Sequence, residues 1–348
     1  MQAIVLVGGE GTRLRPLTLE TPKPMVPVFN VPFLERTLIR LRDVGITNAI
    51  LPAGYLPAAI TDYFGDGSRL GMRLTYVIET EPLGTAGAIK NVERYLTGPF
   101  FVLNGDILTS LDLRAMLARH QQLGGIGLLH LITVEDPSAF GCVVTDEADR
   151  VTAFLEKPAP GTAPTNAINA GTYLLEREVL DLIPAGRAVS IEREIFPLLA
   201  AGTKPLYAYT TDDYWMDLGR PEQYLSSHRH VFEGKMPIDL SASAVHAQVV
   251  APSYIGKGVT IDPDAVVGPY AVVGDYCHIG RGSAVRDSVL WDSVTIGSDT
   301  EVVGAIIASH AHIGDRVTTE PGVVIGHDAC VANDVVLARD ARVAAQKE

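Results

Sequence analysis

Three glycines within four residues, Gly8, Gly9 and Gly11, stand directly after the apolar run Gln2–Val7, and Thr12, Arg13, Arg15 and Lys23 follow closely. Glycine leaves backbone N–H groups uncovered, because no Cβ stands in a ligand's way. Thr12 adds a hydroxyl, and Arg13 adds a planar fork of donors that matches phosphate oxygens. Lys23, between Pro22 and Pro24, brings a further point charge. Such a set is suited to a polyphosphate. The dinucleotide fingerprint G-x-G-x-x-G fails, since Leu14 occupies the third glycine position, and no Gly-Lys-Ser/Thr follows as a P-loop needs. A merely structural turn has no use for three cations so close together.

Carboxylates recur where strands end. Asp106 follows the buried-strand pattern Phe100–Asn104 and Gly105, and Asp217 follows a hydrophobic run and precedes Leu218-Gly219. Alone, Asp106 reads as a turn residue. Two carboxylates on separate strand ends suit Mg²⁺, which takes one or two protein carboxylates and fills its shell with water and phosphate oxygens. Glu156-Lys157 closes an alternating stretch and reads locally as a solvated hairpin end. Glu192 reads as a first-turn acid behind Ser190 at a helix N-cap. His228 and His230 lie two apart on a helix, facing different directions, and make a poor metal pair.

The elements that position these residues alternate. Helices are expected over 33–44, where Leu34, Leu38 and Leu41 share a face, and near 58–64, 86–96, 113–122, 190–197 and 221–232. Thr85 is placed as the N-cap of the 86–96 helix. Strands are expected over 2–7, 49–52, 73–79, 100–104, 127–133, 142–145, 151–157, 167–174 and 207–211. The alternation predicts an α/β fold, a Rossmann-like, mostly parallel sheet flanked by helices, with ligands at the carboxyl ends of its strands.

Beyond the boundary near 234–243 the pattern changes. Aliphatic residues recur every six positions at Val249, Ile255, Ile261, Val267, Val273, Ile279 and Val285, and Trp291 keeps the period. The period shortens to Ile296, continues at Val302 and Ala308, shortens again to Ile313, and then runs Thr319, Ile325, Val331, Leu337 and Val343. This is the signature of a hexapeptide parallel β-helix, whose coils can bury their apolar residues only against one another. The expected domains are 1–234 for chemistry and 244–348 for the β-helix.

The formal net charge is −13, which argues against nucleic-acid or anionic-membrane partners. Cys142, Cys277 and Cys330 are odd in number and widely spaced, and form neither a disulfide framework nor a zinc pattern. With no basic leader and no membrane-length apolar run, the expectation is a soluble, cytoplasmic protein.

The glycine-rich string GGEGTRLRPLT with PKPMVPV, the string EPLGTAGA and the NGD at 104–106 together resemble the sugar nucleotidyltransferases. The EK pair at 156–157 and NAGTY at 169–173 extend that resemblance, and the repeats are similar to the left-handed β-helix attached to many members. The resemblance implies that a nucleoside triphosphate and a sugar 1-phosphate give a nucleoside-diphosphate-sugar and pyrophosphate. It implies Arg13, Lys23 and Lys157 as the catalytic cations. It places Leu6, Gly8, Gly9, Gly11, Thr12, Glu79, Gly84 and Thr85 against the nucleotide. Asn104, Gly105, Gly141, Glu156, Asn169 and Gly171 fall on the sugar phosphate, and Asp106 and Asp217 on Mg²⁺. A homo-oligomer built through the β-helix, which then serves assembly rather than chemistry, is a common arrangement in the family.

Relatives that use uracil or thymine commonly carry Gln where this chain has Glu79. A carboxylate has only acceptors, and guanine's N1–H and N2–H₂ edge offers two parallel donors. Glu79 therefore favours GTP, with a solvent-facing strand-end acid, or Glu81 as the true contact, as the competing readings. The loop and the β-helix resemble most the two-domain mannose-1-phosphate guanylyltransferases. Three alternatives stay open: a glucose-1-phosphate thymidylyl- or uridylyltransferase, a bifunctional enzyme whose β-helix acetylates a sugar through His310 and His312, and a non-catalytic regulatory subunit.

Overall fold

The computed structural model describes residues 1–244 and 247–345. Contacts between residues divide the chain into two compact units, Met1–Gly9 with Leu34–Trp215, and Glu10–Phe33 with Met216–Glu348. Gly8 and Gly9 thus fall in the first unit and Gly11 in the second.

The first unit holds a nine-stranded sheet. Gln2–Leu6 pairs in parallel with Asn48–Ala53 on one side and Phe100–Asn104 on the other, and Asn48–Ala53 pairs in parallel with Arg73–Ile78. Ala3, Ile4 and Val5 are fully buried in succession, as a parallel strand covered on both faces requires. In the second half Ala167–Leu175 runs antiparallel to Phe100–Asn104 and Gly127–Thr133, and Gly141–Thr145 to Val151–Glu156, while Leu206–Thr210 pairs in parallel with Gly127–Thr133. The sheet is mixed because these later strands are joined by hairpin-like loops rather than crossover helices.

Helices cover it. Phe33–Asp43 buries Leu34, Leu38 and Leu41 completely, one face at helical spacing. Leu113–Leu123 starts at Asp112, whose carboxylate accepts from the N–H groups of Arg114 and Ala115 at 2.8 and 3.1 Å, a side-chain N-cap. The helix expected over 86–96 is instead Gly84–Asn91, followed by a 3₁₀ turn at Glu93–Tyr95. Its N-cap is Leu83 rather than Thr85. The first N–H groups are taken by the Val189 carbonyl, so no side-chain cap is needed. Ser190 does act as an N-cap, accepting from Arg193 N, and the first turns, Ile191–Ile195, are π-helical.

In the second unit short parallel strands stack into three sheets of six, five and five strands. The column of inward residues includes Ile255, Val267, Val273, Ile279, Val285, Ile296, Val302, Ile313 and Ile325, all fully buried. Two positions differ from the hexapeptide count. Leu290, not Trp291, pairs with Val273, and Ile307, not Ala308, pairs with Leu290. The corner at Asp287 and Ser288 and the one at Gly304 are each a residue shorter than the count assumed, so the strand enters one position earlier. Many corners carry aspartates with positive φ, among them Asp264, Asp287, Asp299 and Asp334. Asp tolerates the left-handed region better than most L-residues, which explains its recurrence there. Side-chain ladders join the coils: Ser283 Oγ donates to the Gly297 carbonyl and Thr300 Oγ1 to the Gly314 carbonyl, and the N–H groups of Thr300 and Val317 donate back to those hydroxyls. Among the described residues no helix is long and apolar enough to cross a membrane.

Candidate active site

In the first unit Leu6, Gly8, Glu79, Asn104, Gly105 and Asp106 lie at the carboxyl ends of parallel strands. Leu6 lies opposite Asn104 in the register. Gly105 N donates to the Leu6 carbonyl at 2.9 Å, and a Cβ on Gly105 would stand 2.4 Å from that oxygen. Only glycine lets the chain turn there, and Asp106 leaves the sheet from that turn. Gly171 has φ 73°, and its missing Cβ would meet the Asn104 amide at 2.7 Å. The Asn104 Oδ1 is buried with no hydrogen-bond partner.

Glu79 continues the edge strand, its N–H donating to the Ala53 carbonyl at 2.9 Å. Its carboxylate stands over glycine backbone: a Cβ on Gly8 would lie 3.5 Å, and one on Gly54 3.8 Å, from Oε2. Burial raises the Glu79 pKa, and a hydrogen bond from the Leu83 backbone offsets this in part. Oε1 is buried and has no partner in the protein. A half-buried acceptor is thus left open beside bare glycine backbone. Glu81, the competing residue, is exposed.

Gly84 and Thr85 pack against the segment 189–192. Gly84 has φ 68°, and a Cβ there would meet the Val189 carbonyl at 2.7 Å. Thr85 Oγ1 donates to Glu192 Oε2 at 2.8 Å and accepts from Ile191 N at 2.8 Å. Ser190 Oγ donates to the same Glu192 oxygen at 2.8 Å. Glu192 is therefore a tether between two helix starts, a role its first-turn position alone does not reveal.

Gly141 pairs with Glu156 across the hairpin, and a Cβ on it would meet the Phe154 ring at 2.6 Å and Glu156 Oε2 at 2.9 Å. Burial raises the Glu156 pKa, the Lys157 charge lowers it, and Glu192 raises it further. Lys157 adopts φ 50°, and its Nζ lies 3.5 Å from Glu156 Oε1 with a side chain 58% exposed. Asn169 Oδ1 accepts from Gly171 N at 3.0 Å while its Nδ2 donates to the Tyr173 hydroxyl at 2.8 Å. Tyr173 is fully buried, and burial together with the nearby charges of Glu192, Glu156 and Asp106 holds its pKa well above the ordinary value. Sequence reading missed Tyr173 as the anchor of Asn169, although it stands four residues on in the same string. It also missed Trp215, whose Nε1 donates to the Ala170 carbonyl at 2.9 Å.

In the second unit Gly8's neighbours in sequence form a compact turn. Gly11 has φ 62°, and its missing Cβ would touch Lys23 Cβ at 3.0 Å and Thr18 at 3.1 Å. Thr12 and Arg13 are exposed on the 3₁₀ turn Thr12–Leu14, while Gly8 and Gly9 are exposed in the first unit. Lys23 Nζ lies 3.7 Å from Asp217 Oδ1, both side chains largely buried. A Cβ on Gly219 would stand 2.9 Å from Arg13 Nη2 and 3.0 Å from both Asp217 carboxylate oxygens. Arg13 and Asp217 thus meet at one bare glycine, with Lys23 beside Asp217. His228 Nδ1 lies 2.9 Å from the Tyr224 carbonyl, and its ring packs on Phe29. Among the described residues no three His, Cys, Asp or Glu side chains cluster as metal ligands.

Residues 2–234 match the family described as nucleotidyl transferase, and residues 237–337 match the EIF2B subunit epsilon LbH domain, a left-handed β-helix. The chain is 43% identical over 298 residues to a protein of Mycobacterium tuberculosis named mannose-1-phosphate guanylyltransferase, covering 85% of this chain and 81% of that one. It is 35% identical over 344 residues to mannose-1-phosphate guanylyltransferase 1 of Arabidopsis thaliana, covering 96% and 93%. Among solved structures it resembles HddC from Yersinia pseudotuberculosis complexed with GMP-PN, with a TM-score of 0.56 and 32% identity. That likeness covers 65% of this chain and 96% of HddC.

Proposed function

Since the chain belongs to the nucleotidyl transferase family, we propose that it transfers the guanylyl group of GTP to mannose 1-phosphate, giving GDP-mannose and pyrophosphate. The observation that carries the base assignment is Glu79, whose buried Oε1 lacks a partner and whose Oε2 stands beside the backbone of Gly8. Guanine's N1–H and N2–H₂ would donate to that carboxylate, whereas uracil and thymine would turn a carbonyl toward it.

A phosphate oxygen of the sugar 1-phosphate attacks the α-phosphorus of GTP. A new P–O bond forms as the bond to the leaving pyrophosphate breaks. Such transfers need positioning and charge neutralisation more than covalent help. In the second unit Arg13 neutralises the leaving pyrophosphate and Lys23 the nucleotide phosphates. The Lys23–Asp217 pair keeps that ammonium oriented while it waits for substrate. In the first unit Lys157, exposed and only loosely paired with Glu156, neutralises the attacking phosphate. Glu156 and Asn169 accept and donate to sugar hydroxyls, with Asn169 held by Tyr173. Gly8, Gly9, Gly11 and Thr12 face the nucleotide, and Gly105, Gly141 and Gly171 leave room for the sugar phosphate.

Mg²⁺ fits the donor chemistry, since Asp106 and Asp217 are carboxylates and offer only the hard oxygens this ion takes. When bound it would neutralise charge around the α-phosphate. Residues 1–234 are assigned the chemistry and 244–348 the β-helix, through which copies of the chain associate. The test is pyrophosphate release by the purified protein with Mg²⁺ and each of five nucleotides, against mannose and glucose 1-phosphates. GTP with mannose 1-phosphate should exceed every other pair; a preference for UTP or dTTP would overturn the reading.

A further inference from the structure

The loop Glu10–Phe33 has little regular structure of its own, only 3₁₀ turns at Thr12–Leu14, Leu17–Leu19 and Lys23–Met25 and a two-residue strand pair. Its shape must come from what it lies on. Within its unit that support comes from the helix Pro221–Phe232, through Tyr224 and His228, and from the β-helix. His327 Nε2 lies 2.9 Å from Thr21 Oγ1, and the same ring hydrogen-bonds the Leu17 backbone. A Cβ on the preceding Gly326 would stand 3.1 Å from Pro16 Cβ, so these two consecutive residues hold Pro16, Leu17 and Thr21. The His327 ring packs edge-on against Trp291 with centroids 5.2 Å apart. Trp291 Nε1 donates to the Tyr224 hydroxyl at 3.1 Å, and that hydroxyl donates to the Pro27 carbonyl.

We propose that His327 is a positioning residue for transfer: a β-helix side chain that fixes the loop presenting Arg13 and Lys23. The inference rests on the reading of those two side chains as phosphate-binding cations. Thr21 is joined to Lys23 through Pro22, whose ring fixes φ and passes the anchor on with little slack. Lys23 in turn packs its Cβ against Gly11, two residues from Arg13. Burial lowers the His327 pKa, outweighing Glu20 and Asp328, which raise it, while His310 lowers it further. The ring is therefore neutral at neutral pH, with one nitrogen free to accept from the Thr21 hydroxyl.

The experiment compares His327→Ala, His327→Gln and Thr21→Val in the full chain by steady-state kinetics and by hydrogen exchange over residues 10–33. His327→Ala and Thr21→Val should each lower kcat/KM for the nucleoside triphosphate on the order of tenfold, with KM for the sugar 1-phosphate unchanged. Exchange over 10–33 should quicken, and His327→Gln, which keeps an acceptor and a donor, should recover most of both. Unchanged exchange over 10–33 would overturn the proposal. So would an equal shift of both KM values with protection lost throughout, the mark of a merely structural role. A wild-type protein that releases no pyrophosphate would defeat the guanylyltransferase reading, while the exchange arm would still decide the seating of the loop.

Discussion

Half-burying a carboxylate costs hydration, and Glu79 recovers only part of it through the Leu83 backbone. Two outcomes follow at the scale of this one residue. The first concerns the base. Glu79→Gln exchanges an acceptor for a donor against the guanine edge, which should cost about 2–4 kcal/mol of GTP discrimination and complement uracil or thymine instead. The ratio of GTP to dTTP efficiency measures it, and an unchanged ratio would remove Glu79 from base reading. The second concerns stability. The folded pKa is raised, so between the ordinary value of 4.5 and the raised one the native state binds more protons than the unfolded chain. Stability therefore falls as pH rises through that window, and the penalty is complete above it. Glu79→Gln should melt higher than wild type near neutral pH and together with it below 4.5. The turn glycines Gly105 and Gly171 were legible as parts of short strings, because a close backbone approach or a positive φ demands glycine. Tyr173 behind Asn169 and Glu192 behind Thr85 were not, because what they touch is set by packing.

Strands Gln2–Leu6 and Phe100–Asn104 approach so closely at their carboxyl ends that Gly105 has no room for a side chain. Gly105→Ala would push a methyl against the Leu6 carbonyl and force the strands apart, costing about 1–3 kcal/mol. Urea denaturation should show the midpoint falling with an unchanged slope. A midpoint equal to wild type would mean the turn relaxes freely. At this scale the sheet, the Leu34–Leu38–Leu41 helix and the coil architecture follow from periodicity alone. The two one-residue slips of the β-helix do not. Leu290 and Trp291 are both apolar, as are Ile307 and Ala308, so the period cannot choose which points inward. Corner length chooses, and that is a property of backbone geometry. Thr85 shows the same limit: a good N-cap type was overridden because the Val189 carbonyl already serves the helix start.

Coils that bury their residues only against neighbours hold or fail together. Thr300 is a sensitive rung, since its hydroxyl donates to the Gly314 carbonyl and accepts from Val317 N. Thr300→Val keeps the shape but leaves that buried N–H unpaired, costing about 1–3 kcal/mol. Because the loop Glu10–Phe33 shares the unit with the coils, its amides should lose protection in step with those of residues 253–343, as read by hydrogen exchange. Coils that open while the loop stays protected would show that the loop holds its own shape. The expectation that the β-helix serves assembly rests on its repeats, which bury a continuous aliphatic column. Nothing in those repeats points back to the glycine-rich loop.

Thr21 and His327 stand 306 residues apart in the chain. During synthesis the loop therefore emerges among the earliest segments and its clamp among the last. Contacts of such high contact order also form late when a whole chain refolds, since a long closure must be made before they contribute. A nascent chain lacking the coil at 326–327 would carry Arg13 and Lys23 on an unseated loop. On the proposal above, the seating of the loop at Thr21 would be completed only as the final coils wind.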